Sequence, residues 1–499
     1  MNVFNDLKKS TAAKLTGLIL LTFALKLAAA FYFSNLHQCQ FPETSAGRLA
    51  LLSGDTHSYI GAIDNLKEEG VYYFWNGVRR VYAGRMPYYG APYYLLRFFL
   101  DKPAAADILV LFQILTDAAA NVFFAFLCFR IFKSRAAFWI GFALCLLSFN
   151  YFLFSLQLVP ESLSLNFFIF FLYAFQRYRD EGKWIYAVYA SFLLALVVVL
   201  KPYLALIYIP FFGAVLWKRI FLNNFDLKAV FSKLFVLSLP LSLLLAPWII
   251  RNAFVLGRFI PAQENITAGY NYTEADFAFR RFVGAWGGSM IFWDPKSAGC
   301  YFTAGHEFSC TFELPAHALT EGYGLEEIEE VRRKYIRLQE QFSPDLEREV
   351  VEKFDRLTEI YRNEKPFMYY VGSRFLTASE MFLHTNVYNL PVNPSFRCFE
   401  PYQLVFKGIQ FLVYCLALTL GSAGLLILSR KRKISLFYAS AILPIVFFFA
   451  YFKLTEARYM NQTYPILLIG LTYAVVSFNN LSDSIIGKAV NISENENTI

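Results

Sequence analysis

Residues 230–250 read VFSKLFVLSLPLSLLLAPWII, a stretch of twenty-one positions in which Lys233 is the single charge. Coiled as a helix at 1.5 Å per residue, it would reach about 30 Å, the thickness of a hydrocarbon core. Comparable runs lie on either side of it, at 15–33, 106–131, 136–154, 162–178, 184–200, 202–217, 405–428, 434–452 and 463–478. The 499-residue chain is 57% hydrophobic, 19% aromatic and only 17% charged, with a mean hydropathy of +0.40. An average soluble domain carries roughly 25% charged residues, so this chain has too little charge to solvate a soluble fold of its length. The expected fold is an all-α polytopic membrane protein of about ten transmembrane helices, with interfacial helices and a large, mostly helical extracytoplasmic segment.

Charge sets the expected orientation. With the amino terminus in the cytosol, the clusters Arg130, Lys133, Arg135; Arg177, Arg179, Lys183; Lys218, Arg219; and Arg430, Lys431, Arg432, Lys433 all fall inside. The net charge of +8 thus sits in short clusters between apolar runs and not along one basic face, which points to topology and away from nucleic acid. Lys8, Lys9 and Lys14 precede the first run, and Ala28-Ala29-Ala30 near its end imitates a signal-peptide cleavage site. The length of the run and the many runs that follow favour an uncleaved span.

The chain then divides into a cytoplasmic N-terminus with the first span (1–33), a first outer loop (34–105), a transmembrane bundle (106–250), a large outer segment (251–404), and C-terminal spans with a cytoplasmic tail (405–499). The first outer loop combines the helical spacing of Tyr59, Ile63 and Leu66 with an aromatic-rich stretch from Val71 to Phe99, as in an interfacial segment. In the second outer segment, residues 321–362 are charged and space Leu325, Ile328, Val331, Ile336 and Leu338 as solvated helices would. Cys300 and Cys310 share this segment, and a disulfide between them is favoured over two free thiols. The sequons at Asn265, Asn271, Asn461 and Asn491 are triplets common enough by chance to carry no weight. No internal repeat is visible, which argues against a transporter built from inverted halves.

The chemistry-bearing residues cluster on the outer side. Asp55, in Gly54-Asp55-Thr56-His57-Ser58-Tyr59, is either a helix N-cap or a carboxylate at the membrane surface with a catalytic task. Glu161 follows Pro160 in a short turn that keeps its carboxylate near hydrocarbon, where ionisable groups have a partner or a task; capping is again the alternative. Lys201, Arg251 and Arg458 oppose the inside-positive bias. They either snorkel to headgroups or converge as an anion site suited to phosphate, the preferred reading for Arg458.

Taken in order, these motifs resemble the C-type glycosyltransferases, specifically the bacterial family 39 proteins related to protein O-mannosyltransferases and lipid A aminoarabinose transferases. The landmarks are Asp55-x-x-x-Tyr59, Arg85-x-Pro87, Pro160-Glu161, Pro247-Trp248-x-x-Arg251-Asn252 and Glu456-x-Arg458-Tyr459. The resemblance implies transfer of a sugar from a polyprenyl-phosphate donor to a glycan, lipid or protein acceptor, at the extracytoplasmic face of a bacterial inner membrane. It implies Asp55 as general base with Glu161 beside it, and Arg251, Arg458, Arg85 and Lys201 on the donor phosphate. It also implies Tyr59, His57, Glu456 and Tyr459 as substrate contacts. No cofactor is required, though Asp55, His57 and Glu161 are the residues that could hold a divalent metal. Thr56 and Gly84 stand where many relatives in those families are acidic, which weakens any carry-over of metal ligands. The alternatives are a transporter or flippase for a lipid-linked substrate, with Glu161, Lys201 and Arg458 on its path, and a non-catalytic scaffold that uses 251–404.

Overall fold

The computed structural model describes residues 7–75, 80–221, 226–263, 273–291, 294–305, 310–383, 390, 392, 397–431, 434–452 and 457–478. It is helical almost throughout. Helix α1 (Leu7–Gln40) leads into the first outer loop, with α2 (Ala62–Glu69), a two-residue hairpin of β1 (Phe74–Trp75) and β2 (Arg80–Val81), and α3 (Ala91–Leu96). The bundle follows as α4 (Lys102–Phe132), α5 (Arg135–Leu146), α6 (Phe149–Leu153), α7 (Glu161–Glu181), α8 (Trp184–Leu200), α9 (Tyr208–Phe221) and α10 (Leu227–Leu256). The second outer segment holds α11 (Glu274–Trp286), α12 (Ala298–Tyr301), α13 (Leu325–Glu340), α14 (Pro344–Glu364) and α15 (Ser373–Leu383). Four C-terminal helices complete the chain: α16 (Leu404–Leu416), α17 (Ser422–Lys431), α18 (Ile434–Phe452) and α19 (Tyr464–Phe478).

Among the described residues, four helical stretches are long and apolar enough to cross a membrane: Ala13–Gln40, Lys102–Phe132, Leu227–Leu256 and Pro401–Arg430. Arg135–Leu146, Trp184–Leu200, Pro202–Leu216, Ser440–Tyr451 and Tyr464–Phe478 are shorter apolar helices. Several expected boundaries move. The run 136–154 is broken at Leu147–Ser148 into α5 and α6, and 202–217 opens as a 3-10 turn because Pro202 cannot continue α8. Helix α10 runs six residues past 250, so Arg251 and Asn252 lie inside it, with the Asn252 amide buried and donating to Ile260 O at 3.0 Å.

Three apolar cores result. One fills the bundle between α4, α7, α8, α9, α18 and α19, and a second joins α1, the loop that follows it and the N-terminal half of α4. The third lies within α11, α13 and α14, where Ile328, Val331, Ile336 and Leu338 are buried as expected but Leu325, at the start of α13, is exposed. Helix α15 ties this third layer to the bundle by packing on α18.

Buried polar contacts fix the helix pairings. Lys26 in α1 and Asp117 at the midpoint of α4 form a buried ion pair at 2.5 Å, beside a cavity of about 20 Å³, room for one water. At the opposite end of α7 from Glu161, Asp180 and Glu181 hold Arg130 at 3.2 and 3.3 Å, and Asp180 holds Lys133 at 3.5 Å. Two of the expected cytosolic basic loops therefore meet at one end of the bundle. At 1.5 Å per residue, Glu161 lies about 30 Å away along α7.

Close backbone approach packs α19 against α17: a Cβ on Gly424 or Gly470 would collide with the carbonyl of Gly470 or Gly421, respectively. Small residues allow such approach in lipid, where apolar bulk gives no drive for helices to associate. Gly470→Val is therefore expected to separate these helices and lower the melting temperature of the detergent-purified protein, with an overpacking cost of about 1–3 kcal/mol. An unchanged melting temperature would contradict this packing.

Candidate functional site

Asp55 and Glu161 are 106 positions apart in sequence, and backbone pairing brings their loops together. Leu51 N donates to Leu156 O at 2.9 Å and Leu158 N to Leu51 O at 3.1 Å, a parallel bridge that sets Leu51 beside Gln157. Each carboxylate lies four residues beyond its bridged position. Helix α4 clamps both segments. Asp107 accepts from Arg48, Leu49 and Ala50 N at 2.9–3.0 Å, and Gln113 Nε2 donates to Ser155 O and Gln157 O at 3.0 and 3.1 Å.

Neither carboxylate is a cap. The turn before the π-helical His57–Gly61 is closed by Thr56, whose Oγ1 accepts from Ser53 N at 2.9 Å, so Asp55 turns its side chain elsewhere. Asp55 Oδ2 receives Arg458 Nη1 at 2.7 Å, and Oδ1 lies 3.7 Å from Arg85 Nη2. Glu161 opens α7 without a capping bond. Its Oε1 receives Lys201 Nζ at 2.6 Å and lies 3.5 Å from Arg458 Nη1. Arg458 thus bridges the two carboxylates in a chain running Arg85, Asp55, Arg458, Glu161, Lys201. Among the described residues this chain sets three cations against two carboxylates.

The cations are placed by local breaks in helix geometry. Lys201 leaves the helical conformation where Pro202 ends α8, and its ammonium reaches across to Glu161 on α7. Arg458 lies in a 3-10 turn, Ala457–Met460, between α18 and α19. Arg85 follows Gly84, where any Cβ would collide with the Phe74 ring and Val81, so an acidic side chain there has no room. The Arg85 guanidinium covers the Tyr59 ring at 4.7 Å and donates to Ser58 Oγ at 3.2 Å. Burial alone would raise the Asp55 pKa, but Arg458, then Arg85 and Lys201, outweigh it and hold the carboxyl at about 2.

Other expected site residues fall outside this chain of charges. Arg251 donates to Tyr82 O at 2.6 Å, Asn252 Oδ1 at 2.8 Å and Tyr72 O at 3.0 Å, which clamps α10 to the first outer loop. His57 is exposed, its Nδ1 2.8 Å from Gly54 O and its ring edge-on to Phe74. Tyr459 stacks on Phe449 at 4.1 Å, beside the site. Glu456 lies outside the described residues. Among those described, no group of three His, Cys, Asp or Glu gathers, and the Arg458 guanidinium links Asp55 and Glu161.

The expected Cys300–Cys310 disulfide is not formed. Both are free thiols, with Cys310 Sγ 3.3 Å from Pro295 O, and the disulfide instead joins Cys39 to Cys398. Arg397 aligns that pair by donating its backbone N to Gln40 Oε1 at 2.6 Å and its guanidinium to Cys39 O.

Sequence reasoning missed the layer beneath Glu161, where Gln462 Nε2 donates to Ser164 Oγ at 2.9 Å and accepts Tyr203 OH on Oε1 at 3.2 Å. The one available signal was Asn461-Gln462-Thr463, which reads as a sequon; Asn461 is 1% exposed and is no glycan acceptor. The other three sequons lie outside the described residues. Comparison of the chain with protein-family models and with curated proteins finds no match.

Proposed function

We propose that this protein is a multi-pass membrane glycosyltransferase that moves a sugar from a polyprenyl-phosphate donor to an acceptor hydroxyl at the outer face of a bacterial plasma membrane. What carries the proposal is the bridged chain of charge around Asp55 and Glu161, in which Arg85, Arg458 and Lys201 converge on two carboxylates. Asp55 takes the proton of the acceptor hydroxyl as that oxygen attacks the anomeric carbon, and the bond from carbon to the phosphate oxygen breaks with inversion. The lipid phosphate leaves with the electron pair, and Arg458, Arg85 and Lys201 stabilise the charge it gains. Two observations support the orientation: a disulfide at Cys39–Cys398 suits an oxidising compartment, and the basic loops held by Asp180 and Glu181 lie at the far end of α7.

The test is formation of polyprenyl phosphate and glycosylated acceptor by the purified protein in lipid nanodiscs, across a panel of polyprenyl-phosphate sugars. No turnover with any donor would overturn the proposal.

One observation favours a transporter instead: Lys26–Asp117 is an ion pair at mid-bundle depth, a place where charges often mark a translocation path. A buried pair can often be replaced by apolar residues of similar size at little cost to stability. The double variant Lys26→Met, Asp117→Leu is therefore expected to keep sugar transfer within a few-fold of the parent. Loss of lipid translocation in this variant, with Asp55→Asn unaffected, would support transport.

A further inference from the structure

The charge chain leaves polar atoms unsatisfied on its bundle side. Glu161 is 2% exposed and its Oε2 has no hydrogen-bond partner, although Oε1 takes both Lys201 and Arg458. Asn461, 1% exposed, has no partner for either amide atom. It lies in the turn from Arg458 to Gln462, and those two side chains reach Glu161 and Ser164 on the first turn of α7. Buried polar atoms nearly always have a partner, and leaving one unmade is costly. One carboxylate oxygen of the cluster, and both ends of a buried amide three residues along the chain from Arg458, are thus left without partners.

We infer that Glu161 and Asn461 form a subsite that reads hydroxyl groups of the donor sugar. This deepens the glycosyltransferase proposal and rests on it. A hydroxyl both donates and accepts, so it can give its proton to Glu161 Oε2 or Asn461 Oδ1 and accept from Asn461 Nδ2. A protonated amino sugar is disfavoured by charge, because Lys201 and Arg458 already crowd the Glu161 carboxylate. The sugar itself is therefore neutral and hydroxylated at the positions the subsite reads.

The decisive variant is Asn461→Leu, similar in volume and without polar atoms, with Asn461→Ser as a smaller, still polar control. Donors are polyprenyl-phosphate hexose, its monodeoxy analogues and an amino-sugar counterpart. The parent should prefer the hexose to the amino sugar and to one monodeoxy donor by about ten- to a hundredfold in kcat/KM. Asn461→Leu should lose about the same factor on the hexose, mostly through KM, and should barely change on that monodeoxy donor. Removing an unpaired buried amide should also hold or raise the melting temperature of the donor-free protein, whereas a structural asparagine would lower it together with activity.

The inference is overturned if the parent turns over and Asn461→Leu keeps its donor ranking and KM, or if melting temperature and activity fall together in both variants. No turnover by the parent with any donor overturns the underlying proposal, and this inference with it.

Discussion

Asp55→Asn is expected to lower kcat for sugar transfer by about 10²–10⁴-fold, the usual range for loss of a general base. The substitution preserves shape and one acceptor oxygen, so the approach of Arg458 and Arg85 survives, but the amide cannot take a proton. It also removes one carboxylate from a cluster that holds Arg85, Arg458 and Lys201, so the net charge there rises by one. Donor affinity should then hold or improve while chemistry fails. That combination, low kcat with unchanged or lower KM, separates loss of a transition-state interaction from loss of binding. Steady-state release of polyprenyl phosphate by parent and variant measures both parameters. Turnover undiminished in Asp55→Asn would remove Asp55 from the chemistry.

The sequence was informative wherever one local pattern decided the outcome. Charge-free runs gave the helices of the bundle, the charged amphipathic spacing gave α13 and α14, and the basic clusters marked the loops that Asp180 and Glu181 gather. Glu161, Lys201 and Arg458 were legible because each is an ionisable group beside an apolar run, whereas Asp55 and Arg85 stood out through the motifs Asp55-x-x-x-Tyr59 and Arg85-x-Pro87. What the sequence could not supply is which of them meet. That depends on the bridge between Leu51 and Gln157, made of backbone groups with no side-chain signature, and on Asp107 and Gln113, which look like incidental polar residues at the start of a span. Arg251 shows a related limit: a cation ending an apolar run looks the same in sequence whether it faces a phosphate or the backbone carbonyls of Tyr72 and Tyr82. The paired cysteines were equally hidden: Cys39 and Cys398 stand 359 positions apart, whereas Cys300 and Cys310 share a short segment without bonding.

At rest Asp55 is a poor base, because a carboxyl held at about 2 has little drive to take a proton near neutral pH. The geometry supplies a remedy. Arg458 and Arg85 are the two cations that touch Asp55, and both are expected to turn toward the donor phosphate, so donor binding should withdraw countercharge from Asp55 and raise its pKa. The acid limb of kcat/KM reports the free enzyme and that of kcat the donor complex, so the kcat limb should lie at the higher pH.

The sign follows from the depressed pKa. The ion pair contributes stability above the ordinary Asp value of about 3.9, and that contribution is lost as pH falls toward about 2. Arg458→Ala removes the larger of the two contacting cations. Its kcat/KM limb should move up toward the ordinary carboxylate range, and kcat should fall about 10²–10³-fold as the leaving phosphate loses its clamp. Arg458→Lys keeps the charge but not the planar fork that spans Asp55 and Glu161, so its limb should stay low while kcat falls by less. Rate profiles for the three proteins from pH 3 to 8 are the measurement: in kcat/KM, parent and Arg458→Lys should stay flat to the lowest pH, and Arg458→Ala should bend within the range. An Arg458→Ala limb at the parent's position would mean that Arg458 does not control Asp55, and donor binding could then not be the step that readies the base.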